Sequence, residues 1–372
     1  MLLTIVAFFA ILSILVFAHE LGHFWTARKF GAKTEEFGFG FPPRIGGWKL
    51  VNGKRKFFWG NKDVESDDTI YSLNWIPIGG FVKIKGEDGE GNTDSESFAS
   101  KKPWQRGIIL SAGVIMNVFL TTFCLILVFM IGAPQIVDID EAGTVKDHKV
   151  QIMSVVDDSP AKTVGLQLGD VVKSINDQTF NNVEEMGAYI ATQADQEMTV
   201  IIARFGDESE YKVTPVGEEK AVIGVGLVDT GIVSYPWYKA IWLGIKGTWT
   251  MFTQIIVGLS SIITNAVVGE EIGADIAGPI GIAVITGKVA RMGFSYILQF
   301  TALLSMNLAI INFLPLPALD GGRILFLIIE KIRGKPVNQK VEGVIHTIGF
   351  FLLIALMLLV TGRDLFNIKD IL

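Results

Sequence analysis

The sequence predicts a polytopic α-helical membrane protein with four transmembrane helices, an inserted α+β domain and a membrane-associated β-rich loop. Half of the 372 residues are apolar and the mean hydropathy is +0.44, a balance expected of a membrane protein carrying a polar domain. Four apolar runs are long enough to span a bilayer. Between the second and third of them, a long acidic stretch shows the alternation of short strands.

The first run, MLLTIVAFFAILSILVFA, carries no charge before His19. It lacks the basic start of a cleaved leader, so residues 1–27 read as a retained first transmembrane helix. Residues 28–106 form a loop with strand-like patches. IYSLNWIPIGGFVKIKGE (70–87) alternates apolar and polar residues around Gly79–Gly80, and FGFGFPP (37–43) suits a membrane interface. Residues 107–132 form the second span, 294–323 the third with its Pro- and Gly-rich exit, and 344–361 the fourth. Residues 230–293 are patchily apolar, with Lys246 and several glycines between 240 and 269, and read as an amphipathic segment on the membrane surface or re-entering it.

Residues 133–229 read as one compact α+β module. SPAKTVGLQLGDVVKSINDQTF (159–180) gives a short helix, a Gly-rich turn and a strand. TVIIARFGDESEYKVTPV (199–216) gives a hairpin turning at Gly206–Asp207.

Charge bias orients the chain. Residues 28–106 hold 14 Lys+Arg, residues 133–236 hold 7 Lys+Arg against 18 Asp+Glu, and residues 330–342 hold four basic residues. By the positive-inside rule the first loop and the short link are cytoplasmic, and the acidic module lies outside. The net charge of −6 is mild, and no basic cluster reads as a nucleic-acid footprint. Cys124 is the single cysteine, which excludes an intrachain disulfide and a cysteine metal cluster.

The chemistry sits at His19-Glu20-Leu21-Gly22-His23, an H-E-x-x-H motif. On a helix the two imidazoles, four residues apart, share one face and can hold one zinc ion, while Glu20 can take a proton from water there. A plain pair of interfacial histidines is the competing reading, and it leaves three ionisable groups at a membrane helix end without a purpose. A catalytic zinc needs a third protein ligand. Asp320, in NFLPLPALDGGR (312–323), is the better candidate: Pro315 and Pro317 break the helix, and Gly321–Gly322 let the backbone turn and expose the carboxylate from a non-helical stretch. Glu35 and Glu36 are the alternatives. His148 and His346 read as ordinary solvated or packing residues. Asp320 reaches the side of the His motif only if residues 240–268 do not cross the membrane.

HELGH in a first membrane helix, GGFVKIKGE in the first loop, SPAKTVGLQLGD in one outer domain and NFLPLPALDGG near the end together resemble the site-2 protease family, in its bacterial regulator-of-sigma-E protease group. The resemblance covers most of the chain in order. It implies one zinc ion held by His19, His23 and Asp320, with Glu20 as general base. It implies substrate binding or oxyanion stabilisation by Asn312 and Asn117, and pairing of an extended substrate with Gly79, Gly80, Phe81 and Val82. The outer module resembles a PDZ domain, with Gly165, Leu166, Gln167, Leu168 and Gly169 as its carboxylate-binding loop. Relatives with two tandem PDZ domains exist, and this outer loop has room for one. The second helix often carries Gly-Pro-x-x-Asn in this family; here it reads Gly113-Val114-Ile115-Met116-Asn117.

The activity implied is intramembrane proteolysis of single-span membrane proteins, such as anti-sigma factors or signal-peptide remnants, after a first trimming cut. The location implied is a bacterial inner membrane, with the active site near the cytoplasmic side. The PDZ-like module binds a substrate C-terminus or excludes bulky substrates. Competing readings are a membrane-anchored PDZ scaffold without proteolysis, and a tethered zinc protease acting on cytoplasmic loops through Glu35 or Glu36.

Overall fold

A computed structural model describes residues 2–51, 53–61, 68–87, 94–136, 146–204, 206–217, 221–269, 278–335 and 337–366. The chain divides into two compact units. One comprises residues 1–125, 244–290 and 297–372, the other residues 126–243 and 291–296.

In the first unit, helix α1 (Leu2–Lys29) forms along an unbroken apolar run and stops at Gly31, which takes φ 71°. Gly31 N–H donates to Arg28 O and Ala32 N–H to Ala27 O, the paired bonds that close a helix end on a left-handed glycine. Arg28 and Lys29 lie in this last turn, where positive charge complements the helix dipole. The chain then enters a sheet of strands β1 (Thr34–Val51), β2 (Lys54–Trp59) and β3 (Ile70–Ile84), in the order β2-β1-β3. Phe37, Gly38 and Phe39 face Tyr71, Ser72 and Leu73 on one side and Val82, Phe81 and Gly80 on the other. Residues 80–84 are therefore an outer strand segment of this sheet.

Helix α2 (Pro103–Ile131) starts with proline, whose fixed φ suits a first helical position. Ala27, Ala32, Ile84, Phe98, Ile109 and Leu110 form one buried cluster, which locks the end of α1, the end of β3 and the start of α2 together. Helix α7 (Phe294–Phe313) lies against α2: Ser305 Oγ donates to Asn117 O at 2.8 Å and Thr121 Oγ1 to Ala302 O at 3.1 Å. Small and hydroxylated residues at such crossings let helix backbones approach without a hydrophobic drive from lipid. Helices α8 (Asp320–Arg333) and α9 (Gln339–Phe366) complete this part.

Among the described residues, four helices are long and apolar enough to cross a membrane: Leu2–Lys29, Pro103–Ile131, Phe294–Phe313 and Lys340–Phe366. Residues 240–268 are not among them. They belong to one continuous helix, α5 (Trp237–Val268), followed by α6 (Pro279–Met292).

The second unit is a six-stranded antiparallel sheet of β4 (Ala133–Ile136), β5 (Lys146–Val155), β6 (Val171–Ile175), β7 (Met198–Arg204), β8 (Asp207–Val213) and β9 (Val225–Val233), in the order β4-β9-β5-β6-β7-β8. Helices α3 (Pro160–Val164) and α4 (Val183–Ala191) pack on it. Met198, Val200 and Ile202, spaced by two along β7, point into a core shared with Ile152, Leu166, Ile175 and Met186. The sheet ends with β9 at Val233, beyond the expected module boundary at residue 229.

Candidate metal centre

Helix α1 carries His19 and His23 one turn apart, both buried, with their Nε2 atoms 3.2 Å from each other. Asp320 Oδ2 lies 3.1 Å from His19 Nε2 and 3.3 Å from His23 Nε2. These three residues form a group of potential metal ligands among the described residues.

The group fits a metal ion on three observations. Tetrahedral zinc with ~2.0–2.1 Å bonds sets its ligand atoms about 3.3 Å apart, close to the three spacings seen here. Among the described residues, buried Asp320 Oδ2 has no hydrogen-bond donor of acceptable geometry, and it converges with two imidazole nitrogens. Finally, a Cβ on Gly113 of α2 would stand 2.4 Å from His23 Nε2 and 2.7 Å from His19 Nε2, so glycine alone leaves the imidazole edges clear. Two imidazoles and one carboxylate are a zinc donor set that leaves a coordination position open for catalysis.

Second contacts fix the rings. His23 Nδ1 lies 2.8 Å from Ile109 O, so Nδ1 carries the proton and Nε2 keeps its lone pair. The Asn117 carboxamide lies 3.3 Å from His19 Nδ1. With its oxygen turned to the ring it accepts from Nδ1–H, which satisfies the otherwise unpartnered Asn117 Oδ1 and frees His19 Nε2. Asn117 is fully buried. Asn117, expected among the substrate-binding and oxyanion residues, lies behind His19 in the structure.

The approach of α1 to α2 depends on Gly22, where a Cβ would meet Ala112 O at 2.3 Å. The middle glycine of HELGH is thus a packing requirement.

Asp320 arrives differently from expectation. It is the first residue of helix α8 and does not lie in a non-helical stretch. The sharp turn before it is made by Ala318, at φ 72°. Gly321 and Gly322 do not supply left-handed geometry. They allow close packing, since a Cβ on either would lie 2.2 Å from Leu314 O or 2.3 Å from Leu316 O. The rival third ligands are engaged elsewhere: Glu35 pairs with Lys83 at 2.7 Å, and Glu36 accepts from Arg44 and from Ser72 Oγ at 2.6 Å. Burial pushes the Glu36 carboxyl up, but the hydrogen bonds from Arg44 and Ser72 and the Arg44 charge outweigh it and hold it below its ordinary value.

Glu20 lines a cavity of about 210 Å³ with His19, Asn312 and Asp320. Its Oε2 accepts from Val82 N–H at 2.9 Å. Val82 therefore turns its backbone polar groups away from β1, toward the cavity residue Glu20. Gly79, at φ 75°, sits where a Cβ would meet Val16 Cγ1 of α1 at 2.7 Å. Gly80 backs on Gly38 O, and Phe81 stacks on Phe41 at 6.3 Å. Gly79, Gly80, Phe81 and Val82 are thus brought to the HELGH helix.

The Gly165–Gly169 loop, expected to bind a carboxylate, has most of its amides engaged. A carboxylate-binding loop offers free backbone N–H groups. Here Gly165 N–H donates to Lys162 O, Leu166 N–H to Ala161 O, Gln167 N–H to Asp170 Oδ2 and Gly169 N–H to Ile152 O, while the Leu166 side chain fills the core. Four of the loop's five amides are thus engaged within this unit. His148 pairs with Asp229 at 3.1 Å in this same unit. His346 belongs to α9 and holds Ala318, two residues before Asp320.

Gly113 and His346 escaped the sequence reading. An ionisable residue inside an apolar run was the available signal for His346. Gly113 had none beyond its place in a helix that needs close neighbours.

The sequence profile of peptidase family M50 matches residues 7–356. A zinc metalloprotease RasP of Geobacillus kaustophilus is 31% identical over 97% of this chain and 97% of its own. A putative zinc metalloprotease of Clostridium perfringens is 32% identical over 95% and 96%. The regulator of sigma-W protease RasP of Bacillus subtilis is 28% identical over 97% and 98%. A PDZ domain of an SdrC-like protein from Listeria monocytogenes aligns with 23% of this chain and 92% of its own, at 24% identity and a TM-score of 0.21. The chain belongs to peptidase family M50, the site-2 proteases. It is a zinc metallopeptidase carrying apolar helices of membrane-spanning length.

Proposed function

We propose that the protein hydrolyses peptide bonds of single-span membrane proteins within or at the edge of the bilayer, with one zinc ion held by His19, His23 and Asp320. The convergence of their three ligand atoms beside Gly113 carries this reading. Bound zinc supplies Lewis acidity that brings the pKa of a water toward ~7 and polarises the scissile carbonyl. Glu20 takes the proton of the attacking water and returns it to the leaving amine. Asn312, on the same cavity, donates to the developing oxyanion.

A transmembrane helix hides its amides in its own hydrogen bonds, so it must unwind before cleavage. The β3 segment Gly80–Ile84 offers an edge to receive the unwound strand. A substrate carbonyl accepting from Val82 N–H takes that donor from Glu20 and leaves its carboxylate free as the base. Substrates weakened by Gly, Pro or polar residues near the cytoplasmic side are then cut best.

The charge bias supports a bacterial inner-membrane placement, with the active site near the cytoplasmic face and the six-stranded unit outside. Four crossings, with residues 240–268 not crossing, keep His19 and Asp320 on one side. The naming of the Bacillus subtilis relative as a regulator of sigma-W protease supports anti-sigma factors as one substrate class, cut after a first trimming step. The outer unit, read as PDZ-like, excludes bulky substrates or docks a new C-terminus. Among the described residues the edge of β9 from Val225 to Asp229 opposite β5 pairs with no strand, and α4 lies beside β9. That edge, and not Gly165–Gly169, is where an extended peptide fits.

The test is metal analysis of wild type beside His23→Ala, Asp320→Ala and Glu20→Gln, with cleavage of a single-span substrate measured in the same preparations. The first two variants lose zinc and activity, and Glu20→Gln keeps zinc and loses turnover. Undiminished zinc in Asp320→Ala overturns the ligand set, and retained turnover in Glu20→Gln overturns the base.

A further inference from the structure

The turn before Asp320 is built against its own local preference. Ala318 holds φ 72°, a left-handed conformation that disfavours any residue with a Cβ. Such a conformation persists only when its surroundings over-determine it. Four features do so. Pro317 precedes it and removes one backbone donor. On one side, Gly321 and Gly322 bring the start of α8 against Leu314 O and Leu316 O. On the other side stands α9: His346 Nδ1 accepts from Ala318 N–H at 2.8 Å. One turn further along α9, Gly349 lies so close to the turn that a Cβ there would be 2.3 Å from Pro317 Cβ and 2.9 Å from Pro317 O.

An imidazole in an apolar helix costs free energy that a plain packing residue would not. Among the described residues its buried Nε2 has no hydrogen-bond partner. Its one hydrogen bond goes to a backbone amide that no helix or sheet can satisfy, in the turn that aims the third ligand.

We propose that His346 is a positioning residue for the metal centre: from the fourth apolar helix it clamps the Ala318 turn and so fixes the direction of the Asp320 carboxylate toward His19 and His23. Gly349 is the second jaw of the same clamp. The inference rests on Asp320 being a zinc ligand, and it adds that the ligand's aim is set by a helix that contributes no ligand.

The clamp needs an acceptor at the position of Nδ1 and not an imidazole as such. The oxygen of an asparagine side chain reaches that position, and leucine fills the volume without accepting. The experiment uses the full chain in detergent or bilayer, loaded with zinc, and follows zinc loss to a chromogenic chelator beside thermal unfolding. The cobalt-substituted protein gives a ligand-field spectrum as a second readout independent of activity. His346→Leu and Gly349→Ala should each release zinc about 10–100-fold faster, the range for loss of an outer contact to a metal ligand. Both should alter the cobalt spectrum. His346→Asn should restore the slow release and the wild-type spectrum.

Zinc release from His346→Leu at the wild-type rate, or His346→Asn no better than His346→Leu, overturns the clamp. An equal loss of thermal stability in His346→Leu and His346→Asn with zinc release restored only in His346→Asn supports it, since a merely structural role would move both readouts together. Asp320→Ala in the same series separates the two ideas: zinc retained there removes the ligand assignment, whereas zinc lost there with His346→Leu unaffected removes only the clamp.

Discussion

Asp320 and Asp170 are both shielded carboxylates that follow sharp turns, and they are used in opposite ways. Asp170 is fully buried and surrounded by donors: Arg204 Nε at 2.7 Å, Arg204 Nη2 at 2.8 Å and Gln167 N–H at 2.8 Å. Asp320 turns Oδ2 toward two imidazole nitrogens and has no donor of acceptable geometry for that oxygen. A carboxylate that stabilises a fold is matched with donors, because an unmatched buried charge is costly. One that faces two imidazole nitrogens has the arrangement of a metal ligand. The difference separates an aspartate matched with donors from one placed as a metal ligand would be, although LGD and LDG look alike on the page.

The sharpest way to break this contrast is at Gly113. Gly113→Ala should abolish zinc binding and cleavage, because the methyl group would stand 2.4 Å from His23 Nε2. Inductively coupled plasma analysis that found one zinc per chain in this variant would remove the crowding argument. Next in size is Arg204→Leu, which strips Asp170 of its charge partner. It should destabilise the six-stranded unit by about 3–5 kcal/mol while zinc content stays at the wild-type level. Hydrogen exchange in β6 and β7 measures this, and unchanged protection there would make Asp170 no different from a surface acid.

The smallest effect concerns Glu36, a third buried carboxylate matched by Arg44 and Ser72. Its folded pKa is lowered from 4.5, so its stabilisation is present above that value and fades as pH falls through the lower folded one. Glu36→Gln should therefore cost roughly 1.5–3 kcal/mol at pH 7, the range for hydrogen bonds to a charged group, and much less in strong acid. A deficit that did not shrink on acidification would show that charge is not what Glu36 contributes.

Local features were legible and contacts between distant segments were not. The four-residue spacing of His19 and His23 is a helix property, and Pro315 and Pro317 end α7 where the sequence says they must. Length together with hydropathy marks the four candidate spans among the described residues, since α5 is longer than any of them and is not one. Asp320 could be singled out by its neighbours, but its helical start could not, because the left-handed residue is Ala318 and not a glycine. Asn117 carries no sign of its role, since only the crossing of α1 and α2 brings it to His19. The Gly165–Gly169 stretch misled because glycine signals a turn without saying whether its amides are free. The split of β3 about Gly79, which places Val82 beside Glu20, depends on a pairing that no local pattern encodes.

The three proposed metal ligands come from segments about three hundred residues apart in the sequence. Histidines 19 and 23 leave the ribosome early, Asp320 follows some three hundred residues later, and the imidazole that steadies its turn later still. A nascent chain halted anywhere in that interval carries a helix with two imidazoles and nothing to complete them. On the proposed ligand set, hydrolytic competence is thereby deferred until Asp320 has been synthesised and the turn before it has docked against α9.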